Sequence, residues 1–195
     1  MNRRDAIMRV STMMGGTLAA PWLTSMLSGC SNSPEEKQAI LESFTPEVKN
    51  LLAEIAETII PATDTPGAKE AKVQDYIADI VADCFNEKDR TAFFNGLNEF
   101  QKKANETYQK GFEQLEEAQR IEFLTKMEQE AKDYAEANKG NKEAPAHIFR
   151  TLKGLTLTGY FTSEPGATKA LTYVHIPGKY QGCIPLEKGQ KAWAT

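Results

Sequence analysis

The chain has 195 residues, with 27 acidic and 23 basic side chains for a formal charge of −4. Its 41% hydrophobic content is enough for a real core, because a domain of this size buries roughly 70% of its unfolded surface on folding. With 26% charged residues and a mean hydropathy of −0.49 the composition excludes a polytopic membrane protein, and the acidic balance argues against a nucleic-acid binder.

The N-terminus reads as an export signal. Arg3, Arg4 and Arg9 stand with a single acid, Asp5, and no charged residue follows from Val10 to Pro34. The stretch Val10 to Leu27 is broken by Ser11, Thr12, Gly15, Gly16, Thr17 and Pro21, which makes it too polar for a permanent membrane helix. Paired arginines before a weakly apolar run point to the twin-arginine route. Asn2-Arg3-Arg4-Asp5-Ala6-Ile7-Met8 resembles that consensus, with Ala6 where an aromatic is usual and Met8 where a lysine is usual. A general secretory signal, its arginines supplying only charge, is the alternative.

Leu27-Ser28-Gly29-Cys30 resembles a bacterial lipobox at all four positions. Small residues admit the peptidase, and the Cys30 thiol is the nucleophile that can take a diacylglycerol thioether; a chance cysteine behind an ordinary signal is the alternative. Cleavage before Cys30 would leave 166 residues with a charge of −6, held to a membrane by lipid and spaced from it by a polar tether. The expected organisation is therefore a signal peptide over 1–29, a lipidated tether over 30–44 and a folded domain over 45–195.

In that domain, Thr45-Pro46-Glu47 has the form of a helix start, followed by Val48, Leu51, Leu52, Ile55 and Ile59 and an end near Pro61. Val73, Tyr76, Ile77, Ile80, Val81 and Cys84 then recur at the spacing that stacks side chains on one helical face. Phe93, Phe94, Leu97, Phe100 and Ala104 repeat the pattern, Ile121, Leu124, Ala131 and Tyr134 mark a fourth helix, and a fifth runs from about Pro145 to Leu157. No sustained period-two alternation predicts a sheet. The fold class is all-α, an irregular bundle of about five main helices with a loop-rich C-terminal segment from about Ser163.

Catalytic signatures are missing from the sequence. There is no glycine-rich phosphate cradle and no CxxCH for covalent haem, and His147 and His175 lack the spacing of a zinc motif. His147 reads as a helix-surface or core-edge residue. His175 reads as structural or interfacial, with ligand contact the alternative. No catalytic residue, metal site or cofactor of its own is expected.

Cys84 and Cys183 remain once Cys30 is acylated, an even number in an oxidising compartment. A disulfide between them would close a loop worth about 4–5 kcal/mol in the chain-entropy model. Two free cysteines, with Cys84 buried on its helix's apolar face, are the alternative. Two stretches resist regular structure, Ile59 to Ala68 and Gly159 to Thr168, and both read as shaped loops. Their prolines fix φ, their glycines permit positive φ, and their Thr, Ser and Asp can cap backbone groups. Helix-joining turns without a partner are the other reading.

These two loops, with Tyr173-Val174-His175-Ile176-Pro177-Gly178-Lys179-Tyr180-Gln181-Gly182-Cys183-Ile184-Pro185, resemble the gluconate 2-dehydrogenase subunit 3 family from about Thr45 to Leu186, leader included. The resemblance implies a noncatalytic small subunit. Its large partner, of the glucose-methanol-choline oxidoreductase type, would carry FAD and oxidise a sugar or sugar acid, and a cytochrome c with haem c would take the electrons onward. It also implies an escort that brings a flavoprotein lacking a signal to the twin-arginine translocase and stays bound to it. The contact surface would comprise Pro61, Asp64, Pro66 and Gly67 of the first loop, Tyr160, Phe161, Glu164 and Gly166 of the second, and His175 and Tyr180 beyond. The lipobox departs from the family pattern and implies that this chain is itself the anchor. A different class of function, a stand-alone periplasmic hydrolase or sugar-binding lipoprotein using His175 with Glu164 or Asp64, is the rival.

Overall fold

A computed structural model describes residues 34–141, 144–176, 178–179 and 182–194. By its contacts the chain divides after Ala39 into a leading unit, of which residues 34–39 are described, and a second unit, Ile40–Thr195, which holds the core. Arg3, Arg4 and Cys30 lie outside the described residues.

Helix α1 (Pro34–Ser43) occupies part of the expected tether. Proline in its first turn and Glu35 and Glu36 beside the positive helix end favour this start, and Ile40 and Leu41 pack against the core that Phe44 enters. Helix α2 (Pro46–Ile59) begins where the sequence places it, with Thr45 Oγ1 accepting the Val48 N–H at 3.5 Å. Helix α3 (Val73–Cys84) buries Val73, Ile77 and Val81 as the spacing predicts, but its buried face is turned toward Ala78 and Ala82, leaving Tyr76 and Ile80 half-buried and Cys84 exposed. Helix α4 (Glu87–Tyr108) is capped by Asn86, whose side chain accepts the Asp89 N–H at 2.8 Å, and buries Phe93, Leu97, Phe100 and Ala104. A 3₁₀ turn (Phe112–Gln114) leads to helix α5 (Glu117–Ala137), which opens on a reciprocal capping box between Glu116 and Gln119.

Helix α6 (Ile148–Thr162) packs against α2, α3, α4 and α5, so it is the axis of the bundle. Close approach is possible where Gly159 faces the Tyr76 ring: a Cβ there would stand 2.6 Å from Tyr76 Cδ1. Two aromatic groups stand in the core. Phe100, Phe112 and Phe123 stack mutually with centroids 5.1–5.9 Å apart, and Phe44, Phe93 and Phe94 form the second group. The architecture is the expected helical bundle with a loop-rich C-terminus. Its one sheet among the described residues is a parallel pair of two-residue strands, β1 (Thr172–Tyr173) and β2 (Trp193–Ala194), too short to show as period-two alternation.

Candidate interaction surface

The first shaped loop leaves α2 at Ile60 and is held by the side chain of Glu57. That carboxylate turns over the helix end and accepts the Ala62 N–H at 2.9 Å and the Lys69 N–H at 2.8 Å. Ala68 N–H donates to the Ile60 carbonyl at 3.0 Å and Thr63 N–H to the Thr65 carbonyl at 2.9 Å, closing the loop on itself. Gly67 is buried under the Glu57 carboxylate, and a Cβ there would lie 2.5 Å from Glu57 Oε2 and 2.6 Å from the Ala62 nitrogen. Its φ is not positive, so close approach and not a left-handed turn requires glycine. Pro61 and Asp64 stand exposed at the tip, and Pro66 is half-buried.

The second stretch corrects the expectation of a loop from Gly159. Helix α6 continues through Thr162, and after Ser163 the chain makes a single π turn (Gly166–Ala170). The helix persists because Tyr160 is 2% exposed, packed in the core, with its hydroxyl donating to the Pro66 carbonyl at 2.7 Å. That bond joins the two stretches, 94 positions apart in sequence. Ser163 Oγ donates to the Tyr160 carbonyl at 2.6 Å and accepts the Gly166 N–H at 3.1 Å, and a Cβ on Gly166 would overlap that same carbonyl. Gly166 likewise has no positive φ. Tyr160, Gly67 and Gly166, expected to face a partner, are therefore buried struts that hold the surface. Phe161, 41% exposed, and Glu164 face outward.

Beyond the π turn, Thr172 N–H donates to the Ala192 carbonyl at 2.8 Å, and the β1–β2 pairing sets Thr172 and Tyr173 beside Trp193 and Ala194. Tyr173, Ile176, Ile184, Leu186 and Trp193 all project into solvent there, Leu186 at 87% and Ile176 at 77% exposure. Single exposed apolar side chains are ordinary, but three large ones between the strands and one on each strand make a candidate contact surface. His175 is exposed, its Nδ1 3.1 Å from Tyr173 Oη. Tyr180 lies outside the described residues.

The expected disulfide is not formed: Cys84 and Cys183 are both free and both exposed. Cys84 is the last residue of α3 and stands off the face that buries Val81 and Ala82, so the buried alternative for Cys84 fails as well. Asp64 Oδ1 accepts from Thr63 Oγ1, and no hydrogen bond or ion pair joins His175 to Asp64 or Glu164 among the described residues. No group of three or more His, Cys, Asp or Glu able to hold a metal ion occurs among them either.

Two features escaped the sequence reading. Glu54, from α2, pairs with Arg120 of α5 and with Lys69, while Arg120 also donates to the Glu113 carbonyl at 2.7 Å and lies over the Phe112 ring. This cluster fixes the base of the first loop to the bundle, and no local spacing announces a pair 66 positions apart. His147 caps α6, its Nδ1 accepting the Phe149 N–H at 3.3 Å, and packs against the Tyr134 ring. Burial, then the Lys103 charge, hold its pKa below the usual value, against the opposing pull of Glu130 and Glu99.

Fold and surface together define a helical domain that braces two turns from within and presents an apolar loop outward, an arrangement suited to docking and without an assembled catalytic group among the described residues. The sequence model of the gluconate 2-dehydrogenase subunit 3 family matches residues 46–178, and the chain belongs to that family. Membership makes it an accessory subunit of a dehydrogenase complex. The match ends at Gly178, before Ile184, Leu186 and Trp193. Neither the comparison with curated proteins nor that with solved structures finds a match.

Proposed function

We propose that the chain binds an FAD-dependent dehydrogenase of the glucose-methanol-choline type, accompanies it through the twin-arginine translocase and tethers it to a membrane through lipid on Cys30. The dehydrogenase oxidises a sugar or sugar acid and passes electrons to a cytochrome c, and the small subunit contributes no chemistry to either step. The observation that carries the docking role is the apolar C-terminal loop, with Ile176 and Leu186 more than three-quarters exposed. Leaving such surface in water is unfavourable, and a partner face removes it. Export as a complex is supported by two features of the leader: the Arg3-Arg4 pair, and a weakly apolar run suited to a route that carries folded, cofactor-loaded cargo. The lipid role is supported by Leu27-Ser28-Gly29-Cys30.

The hydrolase or sugar-binding alternative finds no support in the placement of its residues, since His175 bonds to Tyr173 instead of a carboxylate. The test is deletion of the subunit from cells that make the dehydrogenase. The flavoprotein is expected to stay active but in the cytoplasm, and Arg3→Lys with Arg4→Lys is expected to reproduce that defect although charge is kept. Normal export of the flavoprotein in the deletion strain would refute the escort role.

A further inference from the structure

The charges of the chain are segregated along it. From Lys169 to the C-terminus there are four lysines, Lys169, Lys179, Lys188 and Lys191, against one acid, Glu187, whereas residues 34–168 carry 25 acids and 16 bases. The lysines share their stretch with the exposed Tyr173, Ile176, Ile184, Leu186 and Trp193. Lys191 Nζ donates to the Lys169 carbonyl, so that charge is held at the foot of the loop beside the β1–β2 pair, and Lys169 reaches Glu70 only at 3.9 Å. Lys179 and Lys188 are exposed and make no ion pair among the described residues. Lysines interleaved with exposed apolar side chains along one stretch, on an otherwise acidic domain, are matched by a partner face that is apolar and acidic.

We infer that the dehydrogenase subunit meets this loop with an apolar patch ringed by carboxylates, so that Lys179 and Lys188 steer and orient docking while Ile176, Leu186 and Trp193 supply the buried contact. This rests on the docking role proposed above and adds the chemistry of the partner's face. Polar rims of interfaces act mainly on association rate and orientation, and their effect is screened beyond a Debye length of about 8 Å at physiological salt.

The experiment uses the full chain co-expressed with its dehydrogenase and purified as the complex. Lys179→Glu with Lys188→Glu is expected to weaken the complex about tenfold or more at low salt, chiefly through slower association, with the gap closing as salt rises. Lys179→Arg with Lys188→Arg is expected to bind like the parent, and an unchanged thermal melt of the charge-reversed chain verifies its fold. Leu186→Ser tests the apolar centre separately, and its effect should persist at high salt. Equal binding by parent and charge-reversed chains at all salt concentrations overturns the inference while leaving the docking role intact. Failure of the parent to form any complex overturns the docking role itself. A third result also overturns it: the Cys30→Ser chain floats with vesicles of anionic phospholipid, charge reversal abolishes that flotation, and the complex is unaffected.

Discussion

Replacing Gly67 with alanine tests whether the first loop is rigid for the reason the geometry gives. The new Cβ would stand 2.5 Å from Glu57 Oε2 and 2.6 Å from the Ala62 nitrogen, so the carboxylate or the loop backbone must move. Movement of the carboxylate lengthens or breaks its bonds to the Ala62 and Lys69 N–H groups, now 2.9 and 2.8 Å. Hydrogen bonds to a charged acceptor are worth about 1.5–3 kcal/mol each, and partial exposure of the loop lowers this, so the expected loss is about 2–3 kcal/mol. For a domain of this length that is a fall of about 5–10 °C in Tm. The assay is a thermal and urea melt of four chains: parent, Gly67→Ala, Glu57→Ala and the double variant. Two of the three close atoms belong to Glu57, so the cost of Gly67→Ala should be smaller in the Glu57→Ala background. Gly67→Asn should be no milder than Gly67→Ala, because asparagine relieves only a left-handed backbone and Gly67 has none. Equal cost of Gly67→Ala in both backgrounds, or a neutral substitution, would refute the reasoning.

Tyr160→Phe keeps the buried ring but leaves the Pro66 carbonyl without its donor, and should cost about 1–3 kcal/mol in urea melts while raising amide exchange in the first loop. Thr156, fully buried with a hydroxyl that has no hydrogen-bond partner among the described residues, should tolerate valine with stability equal to the parent's or up to about 1 kcal/mol higher, read from the same melts. His147 has a folded pKa below its ordinary 6.5, so the unfolded chain takes up the proton more readily. Its cap therefore contributes fully above that ordinary value and loses stability as pH falls through it toward the folded one. His147→Asn, which retains a capping acceptor, should flatten that part of a pH–stability profile.

Much of the bundle is legible in local pattern because local physics decides it. The apolar positions of α3 recur at helical spacing from Val73 to Cys84, and the helix has those limits; Thr45-Pro46-Glu47 opens α2 because a cap, a fixed φ and an acid at the positive helix end act within one turn. The end of α6 was not legible, since Gly159 and the following Thr and Ser residues resemble loop chemistry. The glycine is there for the Tyr76 ring, and Tyr160 is turned inward by a carbonyl 94 positions away. The same holds for Glu54 with Arg120 and for the Lys69 side chain, whose partners are set by packing and not by spacing. Cys84 shows the limit of periodicity in the opposite sense: it fits the stripe of Val73, Ile77 and Ile80, but the true buried face is turned toward Ala78 and Ala82, which leaves Cys84 exposed while the next residue, Phe85, packs on the core. Within the stretches that the sequence singles out, the division between outward residues such as Phe161 and inward struts such as Gly67 needed three dimensions.

The central claim is that this chain is an accessory subunit acting only in company. Its most direct test is purification of the tagged full chain, alone and co-expressed with the dehydrogenase, followed by a visible spectrum and dye reduction with sugar substrates. The account predicts no flavin or haem absorbance and no turnover for the chain alone, and a stable complex showing flavin absorbance and activity when the partner is present. Turnover by the isolated chain, or a co-expressed dehydrogenase that does not copurify with it, would contradict the account.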